Sequence, residues 1–254
     1  MRKNAMKEKF AAGEPAFGLS VMFPSPQLVE MAAGLGFDWV LIDCEHGSIG
    51  IESVELMVMA AESARITPIV RPPTNSPLDI LNVMDRGAMG VQVPHVNTRD
   101  DAVRALEAVK FHPVGKRSMA AGTRAQGYDL SGSMAGFVEM SNRETLVCVQ
   151  LEDAEAIDNA DEILTVEGVD VFFIGPSDLS QSMGHPGNPK APAVADAIDR
   201  TLAKIVKAGR TPGMPAATEA VSGVLAKGVR YIYTHVPKLL GPAASTYFKA
   251  AKVR

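Results

Sequence analysis

Eight short apolar runs, each trailed by a stretch of helical periodicity, fill the chain from end to end, and no other feature narrows the fold as far. The strand-like runs are read at 17–23, 39–45, 67–71, 90–94, 145–151, 171–174, 211–214 and 230–234. Between them, 26–35, 51–63, 78–86, 100–111, 154–166, 193–208 and 217–227 repeat apolar residues at spacings of three and four, as helices packed on a sheet do. Such alternation predicts parallel strands joined by crossover helices. Eight units within 254 residues predict a closed (β/α)8 TIM barrel over an open sheet, as a single domain over 1–254. Two longer connections, 112–133 and 184–192, interrupt the rhythm; the first gathers Lys116, Arg117, Arg124 and Tyr128 among glycines. Connections of this length often serve function or assembly, with a plain surface loop an open alternative for the second.

Composition bounds the partners. A net charge of -4, with Lys and Arg scattered along the chain, argues against a nucleic-acid surface. No segment has the uninterrupted apolar length of a membrane span, and the first ten residues carry charge where a signal peptide needs an apolar stretch. Cys44 and Cys148 lie singly in apolar runs, which fits a reducing compartment and supplies no zinc spacing. The expectation is a cytoplasmic enzyme acting on small molecules.

In a barrel, chemistry belongs where strands end and βα loops begin. There the chain places Asp43, Glu45 and His46 after the second run, Arg71 after the third, His95 after the fourth, Gln150 and Glu152 at the fifth, and Asp178 beyond the sixth. Glu152 and Asp178, at the ends of successive buried strands, present oxygen ligands as a divalent cation requires; taken singly, each reads more readily as a cap than as a ligand, with Asp153 opening one helix and Ser177-Asp178 a short one. His46 suits a general base because its unperturbed pKa lies nearest neutrality, while a capping or structural histidine is the plainer reading. Arg71 closes an apolar strand, so its guanidinium must pair with a buried acid or hold a carboxylate or enolate oxygen. Asp85, on the next helix, is placed to orient His46 or to form a solvated pair near Arg86, and His95 either lines the site or is merely accommodated. Cys44 reads as core packing. The absence of lysine from these strand ends weakens a Schiff-base mechanism and leaves a metal as electron sink.

Taken together, residues 37–46 with Glu45-His46, Val70-Arg71-Pro72, residues 90–94, Gln150-Leu151-Glu152 and residues 173–180 with Gly175-Pro176-Ser177-Asp178 resemble the HpcH/HpaI aldolase family of metal-dependent pyruvate aldolases. The resemblance runs from about Phe17 to the last strand. It implies retro-aldol cleavage of a 4-hydroxy-2-oxo acid to pyruvate and an aldehyde, with Glu152 and Asp178 binding Mg2+, Mn2+ or Co2+. It further implies that Arg71 holds the keto or enolate oxygen, that His46 and Asp85 form an acid/base dyad, and that Gln150, Pro176 and Ser177 contact pyruvate. A homo-hexamer with the last helix exchanged between paired subunits is also implied, with the Arg117 and Arg124 loop reaching a neighbouring site.

The chain departs from the family pattern at Ser20, where many members carry tryptophan, at Met214-Pro215, and at His95, where an apolar residue is commoner. The pyruvate half of the site is therefore expected intact and the aldehyde half remodelled. Two other readings stand beside this one. An acyl-CoA lyase like the citrate-lyase β subunit would open with an Arg-Ser pair where this chain has Gly18-Leu19-Ser20. A catalytically inactive barrel acting as a binding protein would have to bear the cost of so many buried charges unused.

Overall fold

In the computed structural model, which describes residues 2–130 and 132–251, the eight strands close in sequence order into one all-parallel barrel. The chain runs α1 (Ala5–Ala11), β1 (Ala16–Val21), α2 (Pro26–Gly34), β2 (Trp39–Asp43), α3 (Ile51–Ser63), β3 (Thr67–Arg71), α4 (Pro77–Asp85), β4 (Gly90–Val93) and α5 (Arg99–Val109). It continues through α6 (Met134–Glu144), β5 (Leu146–Leu151), α7 (Ala154–Asp158), α8 (Ala160–Ile163), β6 (Val171–Ile174), α9 (Pro176–Ser182), α10 (Pro192–Lys207), β7 (Thr211–Pro215), α11 (Val221–Ala226), β8 (Tyr231–His235) and α12 (Val236–Ala250). β1 pairs with both β2 and β8, which closes the cylinder.

Alternation along each strand splits the core in two. Leu19, Val40, Ile42, Val70, Val91 and Phe172 face outward and pack beneath the apolar stripes of the helices. Trp39, Leu41, Ile69, Cys148, Phe173, Tyr231 and Tyr233 face inward and fill the barrel. Trp39 and Tyr231 lie 4.1 Å apart between ring centroids, and Phe173 stacks on Tyr233 at 5.3 Å. Gly18 makes the room: a Cβ there would fall 2.3 Å from the Trp39 ring. These rings floor the cavity above them, so the barrel is a packed core with a shallow upper pocket instead of a pore.

The strands expected from periodicity all form, with ends moved by one or two residues. Four helices lie outside the periodic stretches. α1, capped by Asn4, brings Met6 into the interior cluster at the lower mouth. α6 and α12 interrupt their own patterns, with Gly136 in the first and Gly241-Pro242 in the second. α9 is the short helix that the capping reading of Ser177-Asp178 anticipated, and the 154–166 helix breaks at Asn159 into α7 and α8.

Candidate active site

Asp43 organises the first half of the site. It is fully buried, and its Oδ1 accepts from the backbone N–H groups of Glu45 at 3.1 Å and His46 at 3.2 Å, folding the chain tightly as β2 ends. The same carboxylate receives Arg71 in a fork, Nε to Oδ1 at 2.9 Å and Nη2 to Oδ2. β2 and β3 pair Asp43 with Arg71 in register, so the strands themselves set this contact. Burial alone would raise the Asp43 pKa, but the hydrogen bonds from Arg71 hold it below the usual carboxylate range. Arg71 shows the mirror effect: desolvation is outweighed by its acidic neighbours, Asp43 foremost, and its pKa rises. Its remaining Nη1 lies 3.1 Å from Glu45 Oε2.

Glu152 anchors the second half. Only 1% exposed, it accepts from His95 N–H through Oε1 at 2.9 Å and from Gln150 Nε2 through Oε2 at 2.6 Å. Behind Gln150 runs a hydrogen-bonded line through the barrel centre: Tyr231 Oη donates to Gln92 Oε1 at 2.9 Å, and Gln92 Nε2 donates to Gln150 Oε1. His95 turns through the left-handed region, φ 51, to aim its N–H at Glu152. Gly175 is required here, because a Cβ would meet Glu152 Oε2 at 2.6 Å. Burial pushes the Glu152 pKa up, and the nearby Asp178 charge pushes the same way.

One cavity of about 210 Å3 joins the two halves, lined by His46, Arg71, Gln150, Glu152, Pro176, Ser177 and Asp178 with Met22, Phe173, Pro215, Tyr233 and His235. This falls below the roughly 300–1,000 Å3 of sites for drug-sized ligands and suits a molecule of a few carbon atoms. Asp178 sits in the first turn of α9, where a helix N-terminus favours negative charge, and among the described residues no hydrogen bond engages its carboxylate. Its capping role is thus not realised. Nor is that of Asp153, which heads α7 without a side-chain cap bond and pairs with His95 Nδ1 at 2.9 Å.

The oxygen-rich wall fits a hard divalent cation. Glu152 and Asp178 share the cavity, and ligand atoms of Glu45, His95 and Glu152 also converge within 4.8 Å of one another. Glu152 belongs to both groups. No lysine lines the cavity. Cys44 stands outside this chemistry too: burial pushes its thiol pKa up to about 12, which keeps it protonated.

Within the chain, Asp85 is not brought to His46. It is the last residue of α4, and a helix that follows a strand runs back, so Asp85 lies at the opposite end of the barrel from His46. There its Oδ1 accepts from Arg117 Nη2 at 2.6 Å and its carbonyl from Ala125 N–H at 3.2 Å. Within the chain it does not orient His46, whose ring Nε2 instead lies 3.7 Å from Glu45 Oε2. The loop cations are held at that same far end, Arg117 by Asp85 and Arg124 by Glu62 and the Arg86 carbonyl. Asp43 and His235 are the site residues that strand-end inspection left without a role. Asp43 was legible from sharing a strand face with Glu45, whereas His235 lies one residue past the expected end of β8.

The fold is thus a TIM barrel that gathers carboxylates, two histidines and a buried arginine in one small cavity at its strand ends. The chain belongs to the HpcH/HpaI aldolase/citrate lyase family, whose model matches residues 17–232. A 4-hydroxy-2-oxo-heptane-1,7-dioate aldolase of Salmonella dublin is 37% identical over 221 residues, 87% of this chain and 83% of that one. Among solved structures, an HpcH/HpaI aldolase/citrate lyase family protein from Burkholderia cenocepacia J2315 superposes with a TM-score of 0.92 at 30% identity, covering 98% of this chain and 100% of its own. The citrate synthase SbnG superposes at 0.86 with 28% identity, over 97% of this chain and 96% of its own. The chain is an aldolase, a carbon–carbon lyase.

Proposed function

We propose that this aldolase depends on a divalent cation and reversibly cleaves 4-hydroxy-2-oxo acids to pyruvate, or a related 2-oxo acid, and an aldehyde. The observation that carries the reading is the convergence of Glu152, Asp178, Arg71 and His46 on one cavity sized for a small acid. Glu152 and Asp178 hold the cation, Mg2+, Mn2+ or Co2+, with Glu45 and His95 beside them. When bound, it supplies the positive charge toward which negative charge develops as the carbon–carbon bond breaks. Arg71, locked by Asp43, directs its guanidinium toward the 2-oxo oxygen. Gln150, Pro176 and Ser177 contact the 2-oxo acid, and the aromatic floor of Phe173 and Tyr233 keeps water from below. On this reading all of 1–254 is one catalytic domain working in the cytoplasm, assembled as a homo-hexamer with α12 exchanged. The exposed Leu240 and Tyr247 on α12 fit a helix that packs on another subunit. Pyruvate release from a 4-hydroxy-2-oxo acid, followed with and without a chelator, tests the assignment: release should stop with chelator and return with Mg2+ or Mn2+. Undiminished release in metal-stripped buffer would refute it.

His46 takes the proton from the C4 hydroxyl in cleavage and returns it in synthesis. It is half-exposed, so solvent water partly replaces it, and the loss in His46→Ala belongs at the low end of the range for a general base, about a hundredfold in turnover. Pyruvate binding should persist, because Glu152, Asp178 and Arg71 remain. A folded His46→Ala protein with near-normal cleavage would remove the residue from the reaction.

A further inference from the structure

Two buried hydrogen-bonding atoms on the β8–β1 side of the barrel mouth, His235 Nδ1 and Ser20 Oγ, have no partner among the described residues. Ser20 and His235 are register partners on adjacent parallel strands. Ser20 comes two residues before Met22, which follows the end of β1, and Met22 and His235 line the cavity while Ser20 lies buried next to His235 in the β1–β8 pairing. Ser20 is 1% exposed, so bulk water does not reach it as it reaches a surface hydroxyl. On neighbouring walls Arg71 is committed to Asp43 and Glu45, and Gln150 to Gln92 and Glu152, while the carboxylate oxygens without a hydrogen bond, those of Asp178 and Glu45 Oε2, belong to the acidic groups assigned above to the cation. The β8–β1 wall is thus where neutral buried side chains, a hydroxyl and an imidazole, stand unpartnered among the described residues.

We infer that His235 and Ser20 form the acceptor half of the site and select aldehydes bearing a hydroxyl next to the carbonyl. This rests on the aldolase reading above and names its second substrate. A hydroxyl is the complement because, like serine and neutral imidazole, it both donates and accepts. Burial, and after it the Arg71 charge, lowers the His235 pKa, which keeps the ring neutral. A carboxylate-bearing aldehyde would need a cation lining this wall; the cavity's arginine is already forked onto Asp43, and Lys238, whose charge reaches His235, is not among the residues lining the cavity. An alkyl aldehyde would leave both groups unmet, the situation in which polar sites discriminate most strongly.

The experiment measures kcat/KM for addition of pyruvate to glycolaldehyde, propionaldehyde and succinic semialdehyde with Mg2+ or Mn2+. Each hydrogen bond to the hydroxyl is worth about tenfold, so the protein should favour glycolaldehyde over propionaldehyde by about a hundredfold. In His235→Leu that ratio should fall about tenfold, in Ser20→Ala by a similar factor, and His235→Gln should recover part of it. Because both aldehydes are compared in one preparation, a lowered folded fraction leaves the ratio unmoved. An unchanged ratio in His235→Leu and Ser20→Ala overturns the assignment while leaving the aldolase reading intact. A preference for succinic semialdehyde overturns it in favour of carboxylate recognition. A protein inert toward every aldehyde overturns the aldolase reading, and this assignment with it.

Discussion

Arg71→Ala is expected to lose more than a thousandfold in cleavage and to unfold at markedly lower temperature, two losses with one cause. Arg71 is 5% exposed and Asp43 is fully buried, so removing the guanidinium strands a carboxylate with no solvent to receive it. Breaking a buried pair in this way costs about 3–5 kcal/mol, and Asp43 would take up a proton to escape part of that cost. The turn that Asp43 holds at Glu45 and His46 would then loosen, moving the proposed base as well as deleting the guanidinium. Arg71→Lys separates the effects. A lysine restores charge near Asp43 and most of the folding stability, but its compact ammonium cannot fork across two oxygens and still reach Glu45. Melting temperature should therefore recover further than turnover. A lysine variant with near-normal kcat would show that the fork serves packing alone.

How far the sequence reveals this site depends on which contacts are set by strand order and which by helix direction. Arg71, Glu152, Gln150 and His46 were legible because strand ends in a barrel converge, and their chemistry stands out against apolar runs. The barrel itself was legible for the same reason, eight alternations with little else to explain them. Asp85 lies apart from His46 within one chain because residue spacing does not carry direction: fourteen residues beyond Arg71, a returning helix has carried it to the other rim, beside Arg117. α12 was expected only through the resemblance, as the exchanged last helix, because Gly241-Pro242 interrupts its periodicity, although Pro242 is tolerated inside the helix. Tyr231 and Gln92, which brace Gln150 from below, belong to strand interiors and carry no outward sign of function. A hydrogen-bonded line through a barrel is a property of packing, and packing is decided by residues far apart in the chain.

Removing the proposed cation ligands should have the largest effect on turnover with the smallest effect on folding. Glu152→Ala and Asp178→Ala are each expected to lower cleavage by about a thousand- to ten-thousand-fold, the several kcal/mol that a metal contributes to stabilising developing charge. The fold should survive both changes. In Glu152→Ala the desolvation cost of a buried carboxylate disappears, while the His95 N–H and Gln150 Nε2 lose their acceptor at about 1–3 kcal/mol each, so relief and loss oppose one another. Asp178 makes no such hydrogen bonds among the described residues, and its removal should be milder still. The decisive measurement is thermal unfolding against Mn2+ or Mg2+. A ligand present at a hundred times its dissociation constant stabilises by about 2.7 kcal/mol. At roughly 2–4 °C per kcal/mol, the unaltered protein should melt about 5–10 °C higher with metal, and neither variant should shift. A variant that still gains the full increment would place the cation elsewhere, with the Glu45, His95 and Glu152 cluster the next position to test when Asp178→Ala alone retains it.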